Sequence, residues 1–202
     1  MFYRAIRRAF LILAHPFLRF RVENVDRIPR TGPVVIVATH RSWLDAPCVG
    51  GACPRPVRFL IRDRVFHQNR LASWFYQRMG SVPVSPGGVK SIGAIRAALS
   101  CLRGGGVIGV FPEGRVVREG EREELRAGAA LLAVRTGAPV VPIVIHGSAA
   151  AWPPGRRYPG PGRVRVEVGH PLPAPEGSRE DAEQRLMDRI EAALPRDDTV
   201  NP

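Results

Sequence analysis

The sequence predicts a single α/β domain with a mostly parallel or mixed central sheet flanked by helices and preceded by an N-terminal amphipathic helix. Short runs rich in valine and isoleucine alternate with stretches of helical periodicity, and glycine- or proline-rich turns separate them. The chain has 202 residues, 45% of them hydrophobic, which suits one buried core better than two domains. We therefore divide it into an N-terminal helix, 1–18, and a domain, 19–202.

The first seventeen residues have the pattern of a basic amphipathic helix. Arg4, Arg7 and Arg8 project from the side opposite an apolar stripe. The stripe consists of Phe2, Ile6, Phe10, Leu13 and Phe17. Such a helix lies in a membrane interface, with arginines among the headgroups, so an anionic membrane surface is the expected partner. Packing of the same helix on its own domain is the alternative, and both arrangements can hold together.

The remaining elements follow in chain order. We predict strands at 20–25 (an edge strand), 34–38, 57–61, 81–84, 107–111, 140–145 and 164–168. Helices are predicted at 69–79, 90–103, 127–135 and 178–194, the last with a capping-box pattern at its start. A short helix is expected from Ser42 towards Ala46, ended by Pro47 and the glycines that follow. The polar segment that ends at Glu124 is predicted to be an exposed, mobile loop.

Charge and cysteine content restrict the partners and the compartment. The net charge of +12 and the pI near 11.2 indicate a polyanionic partner, and seven arginines among apolar residues in the first thirty positions favour a membrane over nucleic acid. A general arginine bias, 29 arginines against one lysine, is the alternative cause. The spacing of three cysteines fits neither a zinc site nor a disulfide framework, so we expect the cytoplasmic face of a membrane. No apolar run approaches the ~20 residues of a membrane span.

A histidine and an aspartate five positions apart, His40 and Asp45, directly follow the apolar run 34–38. Imidazole titrates near neutral pH and can take a proton from an attacking hydroxyl. A carboxylate against its other nitrogen fixes the tautomer and stabilises the imidazolium. The pair resembles a hydrolase triad without its serine, so a substrate hydroxyl would be the nucleophile in acyl transfer.

The predicted topology brings further polar residues to the same sheet edge. Ligands of parallel α/β sheets bind beyond the carboxyl ends of the strands. His40, Glu113 and His146 each follow a predicted strand end by one or two residues, although we expect His146 to have a packing or supporting role. Gly114 allows backbone amides to approach a ligand, and Arg115 can pair with a phosphate or carboxylate.

Four ordered blocks carry a resemblance to a known family. They are the segment from His40 to Asp45, Phe111-Pro112-Glu113-Gly114-Arg115, Arg126-Ala127-Gly128-Ala129-Ala130 and Val140-Val141-Pro142-Ile143. From about 33 to 147 the chain resembles the glycerolipid acyltransferase family typified by lysophosphatidic acid acyltransferase, also called 1-acylglycerol-3-phosphate O-acyltransferase. The resemblance implies that His40 is the general base and that Asp45 orients it.

The resemblance also implies substrate-binding roles. Glu113, Gly114 and Arg115 would bind the phosphate of the acceptor, and Val141, Pro142 and Ile143 would contact the acyl donor or acyl chain. Three positions depart from the family pattern: Thr39 replaces an asparagine, Arg115 follows the glycine directly, and Pro86 stands where many members have an arginine. Lys90, Arg115, Arg118 and Arg126 are candidates to replace that arginine, unless the acceptor is not a phosphomonoester.

The activity that the resemblance implies is transfer of a fatty acyl group from acyl-CoA or acyl-carrier protein to a lysophospholipid. The first acceptor to test is 1-acylglycerol-3-phosphate, which would give phosphatidic acid. The same chemistry on another lipid acceptor, such as a lyso-aminolipid, is the alternative, and a non-catalytic basic lipid-binding protein is a more distant one. We expect no cofactor and no metal, and the acyl thioester serves as co-substrate. Donor identity and acyl-chain length stay open.

Overall fold

Seven strands form one sheet at the centre of the molecule. A computed structural model describes residues 1–85, 89–118, 121 and 124–194, with the backbone alone for 89–91. The strands are β1 (Arg21–Glu23), β2 (Val34–Ala38), β3 (Val57–Arg62), β4 (Val82–Val84), β5 (Val107–Val110), β6 (Val140–His146) and β7 (Arg165–Val168). Their order is β1-β7-β6-β2-β5-β3-β4, and every pair is parallel except β6 with β7. The predicted mixed α/β sheet, with 20–25 supplying an edge strand, is confirmed.

Helices cover both faces of this sheet. They are α1 (Phe2–Leu18), α2 (Asp45–Ala52), α3 (Asp63–Phe66), α4 (Arg70–Arg78), α5 (Val89–Arg103), α6 (Gly128–Thr136), α7 (Ser148–Ala151) and α8 (Arg179–Ala193). The four long helices that the sequence predicts after residue 60 are all present, and Ser178 caps α8 by accepting a hydrogen bond from the amide of Asp181. The pattern did not predict α3 and α7, which have four residues each.

The alternation of side chains along β2 divides the core into two layers. Val34, Ile36 and Ala38 pack with α1 and α2 on one face, whereas Val35 and Val37 pack with α5, α6 and α8 on the other. All five residues of β2 are buried, as expected for a central strand covered on both faces. The centre of the sheet is therefore enclosed by core residues on both faces, and its carboxyl edge carries the polar residues.

Helix α2 contradicts the prediction that Pro47 would end it. Pro47 is the third residue of the helix, where an amide has no intrahelical partner to lose, so proline is tolerated. The following glycines are contact points for α1. A Cβ on Gly51 would lie 2.7 Å from the ring of Phe10, and the hydroxyl of Tyr3 donates to the carbonyl of Gly50 over 3.2 Å.

Helix α1 is present as predicted, and its predicted apolar stripe is divided between contact with the domain and the exposed surface. Ala14 and Leu18 are buried and Phe10 packs beside them, whereas Leu13 and Phe17 of the predicted stripe are exposed. The helix thus packs on its own domain and leaves apolar side chains uncovered. No helix within the described residues is long and apolar enough to cross a membrane.

Candidate functional site

The site is built on the loop between β2 and α2. His40 lies two residues beyond β2, and Asp45 is the first residue of α2. Their side chains meet, with His40 Nδ1 and Asp45 Oδ2 3.1 Å apart. The same carboxylate oxygen accepts from the backbone amides of Arg41 (2.7 Å) and Ser42 (2.6 Å), so the turn wraps around Asp45. The five-residue spacing is therefore the length of this turn.

The two members of the pair differ in exposure. The side chain of Asp45 is 1% exposed and that of His40 is 17% exposed. Asp45 Oδ1 accepts a 2.6 Å hydrogen bond from the hydroxyl of Ser148, which is also buried. If the carboxylate holds a proton on Nδ1, then Nε2 is the basic nitrogen of the imidazole. The arrangement suits proton abstraction by a histidine that a buried aspartate orients.

Aromatic stacking fixes the plane of the imidazole. The His40 ring lies against Phe111, with centroids 4.1 Å apart and planes 19° from parallel. Phe111 in turn stacks on Phe59 at 5.8 Å. The histidine is thus held at Nδ1 by Asp45 and on one face by the Phe111 ring. That ring packs against the first core layer, the one formed with α1 and α2.

Glu113 ties the loop after β5 to the histidine. Its Oε1 accepts a 3.1 Å hydrogen bond from the backbone amide of His40, and its side chain is buried. Burial raises the pKa of Glu113, although hydrogen bonds from its own and the His40 amides oppose the shift. Its second oxygen, Oε2, is buried and has no hydrogen-bond partner among the described residues. This carboxyl group supports the backbone of the histidine and does not contact the imidazole nitrogens by any hydrogen bond described.

The segment after Glu113 is better anchored than the sequence predicts. Val117 is 2% exposed, and its amide donates to the carbonyl of His40 over 2.7 Å. The prediction that this whole stretch is an exposed loop is therefore wrong at Val117. The pattern missed the anchor because a single valine among charged residues has no periodicity.

Three predicted substrate-binding residues lie in the segment between β5 and α6. Gly114 has a φ of 67°, and a Cβ added there would lie 3.4 Å from Cζ of Arg126, so glycine leaves room for the guanidinium. Arg126 is exposed, and its amide donates to the carbonyl of Pro112. Arg115 pairs with Glu121 at 2.7 Å, with both side chains more than one-third exposed.

The other predicted site residues lie on β6 or have no described side chain. Val141 and Ile143 are fully buried in the first core layer, and Pro142 lies between them opposite Val37. The side chain of Lys90 and the whole of Pro86 lie outside the described residues. His146 is the last residue of β6 and not a residue beyond it, and its Nε2 lies 3.6 Å from Glu167.

Two contributors to the site were not predicted. Ser148 bonds Asp45, and the hydroxyl of Ser42 donates to the carbonyl of Trp152 over 2.7 Å. Ser42 had been expected to cap a helix. In the sequence, Gly147 and Ser148 simply follow a buried strand. That pattern does not specify that Ser148 bonds Asp45, which lies 103 residues earlier in the chain.

A protein-family model described as acyltransferase matches residues 19–146, which include the His40–Asp45 pair and the Glu113 loop. The chain belongs to the acyltransferase family. It is therefore an enzyme of acyl transfer.

Named relatives of this acyltransferase share most of its length. It is 27% identical over 176 residues to a 1-acyl-sn-glycerol-3-phosphate acyltransferase of Bacillus subtilis strain 168, covering 85% of this chain and 83% of the relative. It is 27% identical over 173 residues to the chloroplastic 1-acyl-sn-glycerol-3-phosphate acyltransferase LPAT1 of Arabidopsis thaliana, of which the chain spans 47%.

A solved structure has the same fold as this acyltransferase. The crystal structure of the 1-acyl-sn-glycerophosphate acyltransferase PlsC from Thermotoga maritima superposes with a TM-score of 0.72 at 25% identity. The match covers 94% of this chain and 78% of the PlsC chain. This chain therefore has the α/β fold of that solved acyltransferase.

Proposed function

We propose that this enzyme transfers a fatty acyl group from an acyl thioester to the free hydroxyl of 1-acylglycerol-3-phosphate at an anionic membrane surface, giving phosphatidic acid. The donor is acyl-CoA or acyl-carrier protein. The observation that carries the proposal is the contact between His40 Nδ1 and the buried Asp45, at a sheet edge shared with the Glu113 loop. The names of the relatives support the choice of acceptor.

The proposed chemistry needs no covalent enzyme intermediate. His40 Nε2 takes the proton of the acceptor hydroxyl as that oxygen attacks the thioester carbonyl. Asp45 stabilises the imidazolium that forms. When the tetrahedral intermediate collapses, the C–S bond breaks and the imidazolium returns the proton to the leaving thiolate. The products are an ester and a thiol, and the histidine is neutral again.

Arg126 and Arg115 are the proposed ligands of the acceptor phosphate. The Arg126 guanidinium lies beside Gly114, one residue from the glutamate that supports His40. The pair between Arg115 and Glu121 is partly exposed, and solvent weakens such ion pairs, so a phosphate can replace Glu121 at little cost. Arginine suits this role because its planar fork matches phosphate geometry. Lys90 stays a third candidate, and Val141, Pro142 and Ile143 stay candidates for the acyl-chain region.

The proposed membrane surface combines α1 with α4. The outward side of α1 leaves Ile12 72%, Leu13 70% and Phe17 44% exposed, next to exposed Arg4 and Arg8. On α4, Leu71 is 73% exposed and Trp74 48% exposed, and Trp74 contacts the Phe2 ring of α1 at 5.5 Å. Neither helix contains an acidic residue. An apolar, purely basic surface of this kind is complementary to an anionic bilayer.

The compartment follows from the same proposal. Cys48, Cys53 and Cys101 are free thiols, and two of them are buried. Free thiols suit a reducing compartment, so we assign the enzyme to the cytoplasmic face of the membrane as a peripheral or monotopic protein. A lyso-aminolipid acceptor is the alternative that the departure at Pro86 supports.

A panel of acceptors tests the proposed function. Purified enzyme is assayed with acyl-CoA and acyl-carrier protein as donors, against 1-acylglycerol-3-phosphate, its dephosphorylated form 1-acylglycerol, and lyso-aminolipids. We expect phosphatidic acid as the main product and a kcat/KM for the phosphate-bearing acceptor at least about 100-fold above that for 1-acylglycerol, since charged hydrogen bonds are lost with the phosphate. If a lyso-aminolipid has the highest kcat/KM of the panel, the lyso-aminolipid is the acceptor and the proposal of 1-acylglycerol-3-phosphate is wrong.

A further inference from the structure

The buried carboxylate of Asp45 has two oxygens with different partners. Oδ2 faces His40 Nδ1 and two backbone amides, and Oδ1 accepts the hydroxyl of Ser148 over 2.6 Å. Asp45 and Ser148 are each 1% exposed. We propose that Ser148 is a positioning residue for catalysis: its hydroxyl holds the Asp45 carboxylate in the rotation that presents Oδ2 to His40. Ser148, Asp45 and His40 then form a chain of three hydrogen-bonded side chains, with His40 at its end.

The backbone before Ser148 explains how a serine from a distant segment reaches Asp45. Gly147 directly follows β6 and has a φ of 77°, in the left-handed region. A Cβ at Gly147 would lie 2.0 Å from the carbonyl oxygen of Arg163, so only glycine fits this turn. The turn starts α7, and Ser148 is its first residue. The strand that pairs with β2 therefore delivers the hydroxyl to the loop that follows β2.

A second hydrogen bond connects the same two segments. The hydroxyl of Ser42 donates to the carbonyl of Trp152, and that carbonyl lies one residue past α7. The first and last residues of the segment 148–152 are thus both hydrogen-bonded to the histidine–aspartate loop. The two bonds have different effects, since Ser42 fixes the path of the loop whereas Ser148 fixes the carboxylate itself.

The chemistry explains why a hydroxyl is needed at this position. A buried carboxylate is stable in its ionised form only when donors surround its oxygens. Without the Ser148 donor, Oδ1 would lose its hydrogen bond, and the carboxylate could rotate or exchange its oxygens. The aspartate would then align the imidazole less often for proton abstraction. Ser148 contacts no substrate in this scheme, which rests on the proposed role of His40 as base.

Kinetics of Ser148 variants test the inference. We expect Ser148→Ala to lower kcat about 10-fold while the KM values for acceptor and thioester change less than about two-fold, because orientation of the base is lost and not substrate binding. Ser148→Thr keeps the hydroxyl and should restore most of kcat. The control is Thr136→Val, which removes a hydroxyl that bonds the carbonyl of Leu132 within α6 and should leave kcat unchanged.

A double-mutant cycle separates positioning from general destabilisation. In an Asp45→Asn background, where the oriented carboxylate is absent, Ser148→Ala should cause no further loss in single-turnover thioester consumption. An unchanged kcat in Ser148→Ala, or an equal additional loss in the Asp45→Asn background, would overturn the inference. If Ser148→Ala does not fold, Ser148→Cys takes its place as a weaker donor of similar shape. The assays use whichever acceptor the wild-type enzyme turns over, so an unexpected acceptor overturns the proposed substrate and leaves this comparison intact.

Discussion

The side chain of Glu113 accepts a hydrogen bond from the backbone amide of His40, 73 residues earlier in the chain. The carbonyl of His40 accepts from Val117, four residues beyond Glu113. Both backbone polar groups of the histidine are thus bonded to the loop after β5. The position of the base depends on this loop as much as on β2, which explains why a buried glutamate, with one oxygen unpaired among the described residues, is present at the site.

The raised pKa of Glu113 predicts a pH-dependent stability. A carboxyl whose folded pKa lies above its ordinary value of 4.5 contributes stability that is fully present below that value and is lost as pH rises through the folded pKa. Glu113→Gln cannot ionise and keeps an oxygen for the His40 amide. The free energy of unfolding of the wild type should therefore fall relative to Glu113→Gln as pH rises from about 4.5.

Urea unfolding of both proteins across this pH range is the measurement. The difference between the two curves isolates Glu113 because the other titrating groups are shared. Curves that stay parallel from pH 4 to pH 7 would contradict a raised pKa at this carboxyl.

The stack between His40 and Phe111 predicts a loss of rate when the ring is removed. Phe111→Leu keeps an apolar side chain but removes the flat surface under the imidazole. Aromatic pairs contribute about 0.5–1.5 kcal/mol beyond area burial, so kcat should fall roughly 2- to 10-fold. Phe111→Tyr preserves the ring and is the matched control. Equal kcat in Phe111→Leu and wild type would show that Asp45 alone orients the imidazole.

Arg126 should determine affinity for a phosphate-bearing acceptor. Loss of a charge-assisted hydrogen bond costs about 1.5–3 kcal/mol, so Arg126→Ala should raise the acceptor KM by roughly 10- to 100-fold and leave the thioester KM unchanged. Arg135→Ala is the control, because Arg135 is an exposed arginine in the last turn of α6, the helix that follows Arg126. A similar acceptor KM for both variants would remove Arg126 from the phosphate site.

The basic side of α1 predicts salt-sensitive membrane binding. Each arginine near an anionic bilayer contributes about 1 kcal/mol, so Arg4→Gln combined with Arg8→Gln should weaken binding to phosphatidylserine-containing vesicles by roughly 30-fold. The matched control replaces Arg103 and Arg135, exposed arginines in the last turns of α5 and α6. Sedimentation with vesicles measures the partition coefficient. An equal loss for both double variants would indicate a general charge effect and not a membrane-binding face.

Much of the fold could be predicted because the central strands are continuous apolar runs. The run 34–38 is buried along its whole length, and the runs that form β5 and β6 pair with it on either side. Since parallel strands end at one edge, the meeting of His40 with the Glu113 loop also followed from the sequence. The contact of His40 with Asp45 was predicted from the position of the pair after a buried strand and from the family resemblance, since the spacing alone is weak evidence.

The errors occurred where tertiary contacts override local preference. Pro47 and Gly51 usually end helices, but here one lies in a first turn and the other accommodates Phe10. Ser148 was missed because its partner is distant in the chain and a lone serine carries no periodicity.

Acyl transfer by a His40→Ala variant tests the central claim most directly. The measurement is single-turnover consumption of acyl-CoA in the presence of saturating 1-acylglycerol-3-phosphate, with circular dichroism and thermal unfolding to verify that the variant is folded. Removal of the general base should lower the rate by about 100-fold or more, since such bases contribute roughly 10²- to 10⁴-fold. A folded His40→Ala enzyme that retains near-normal turnover would contradict the assignment of His40 as the base.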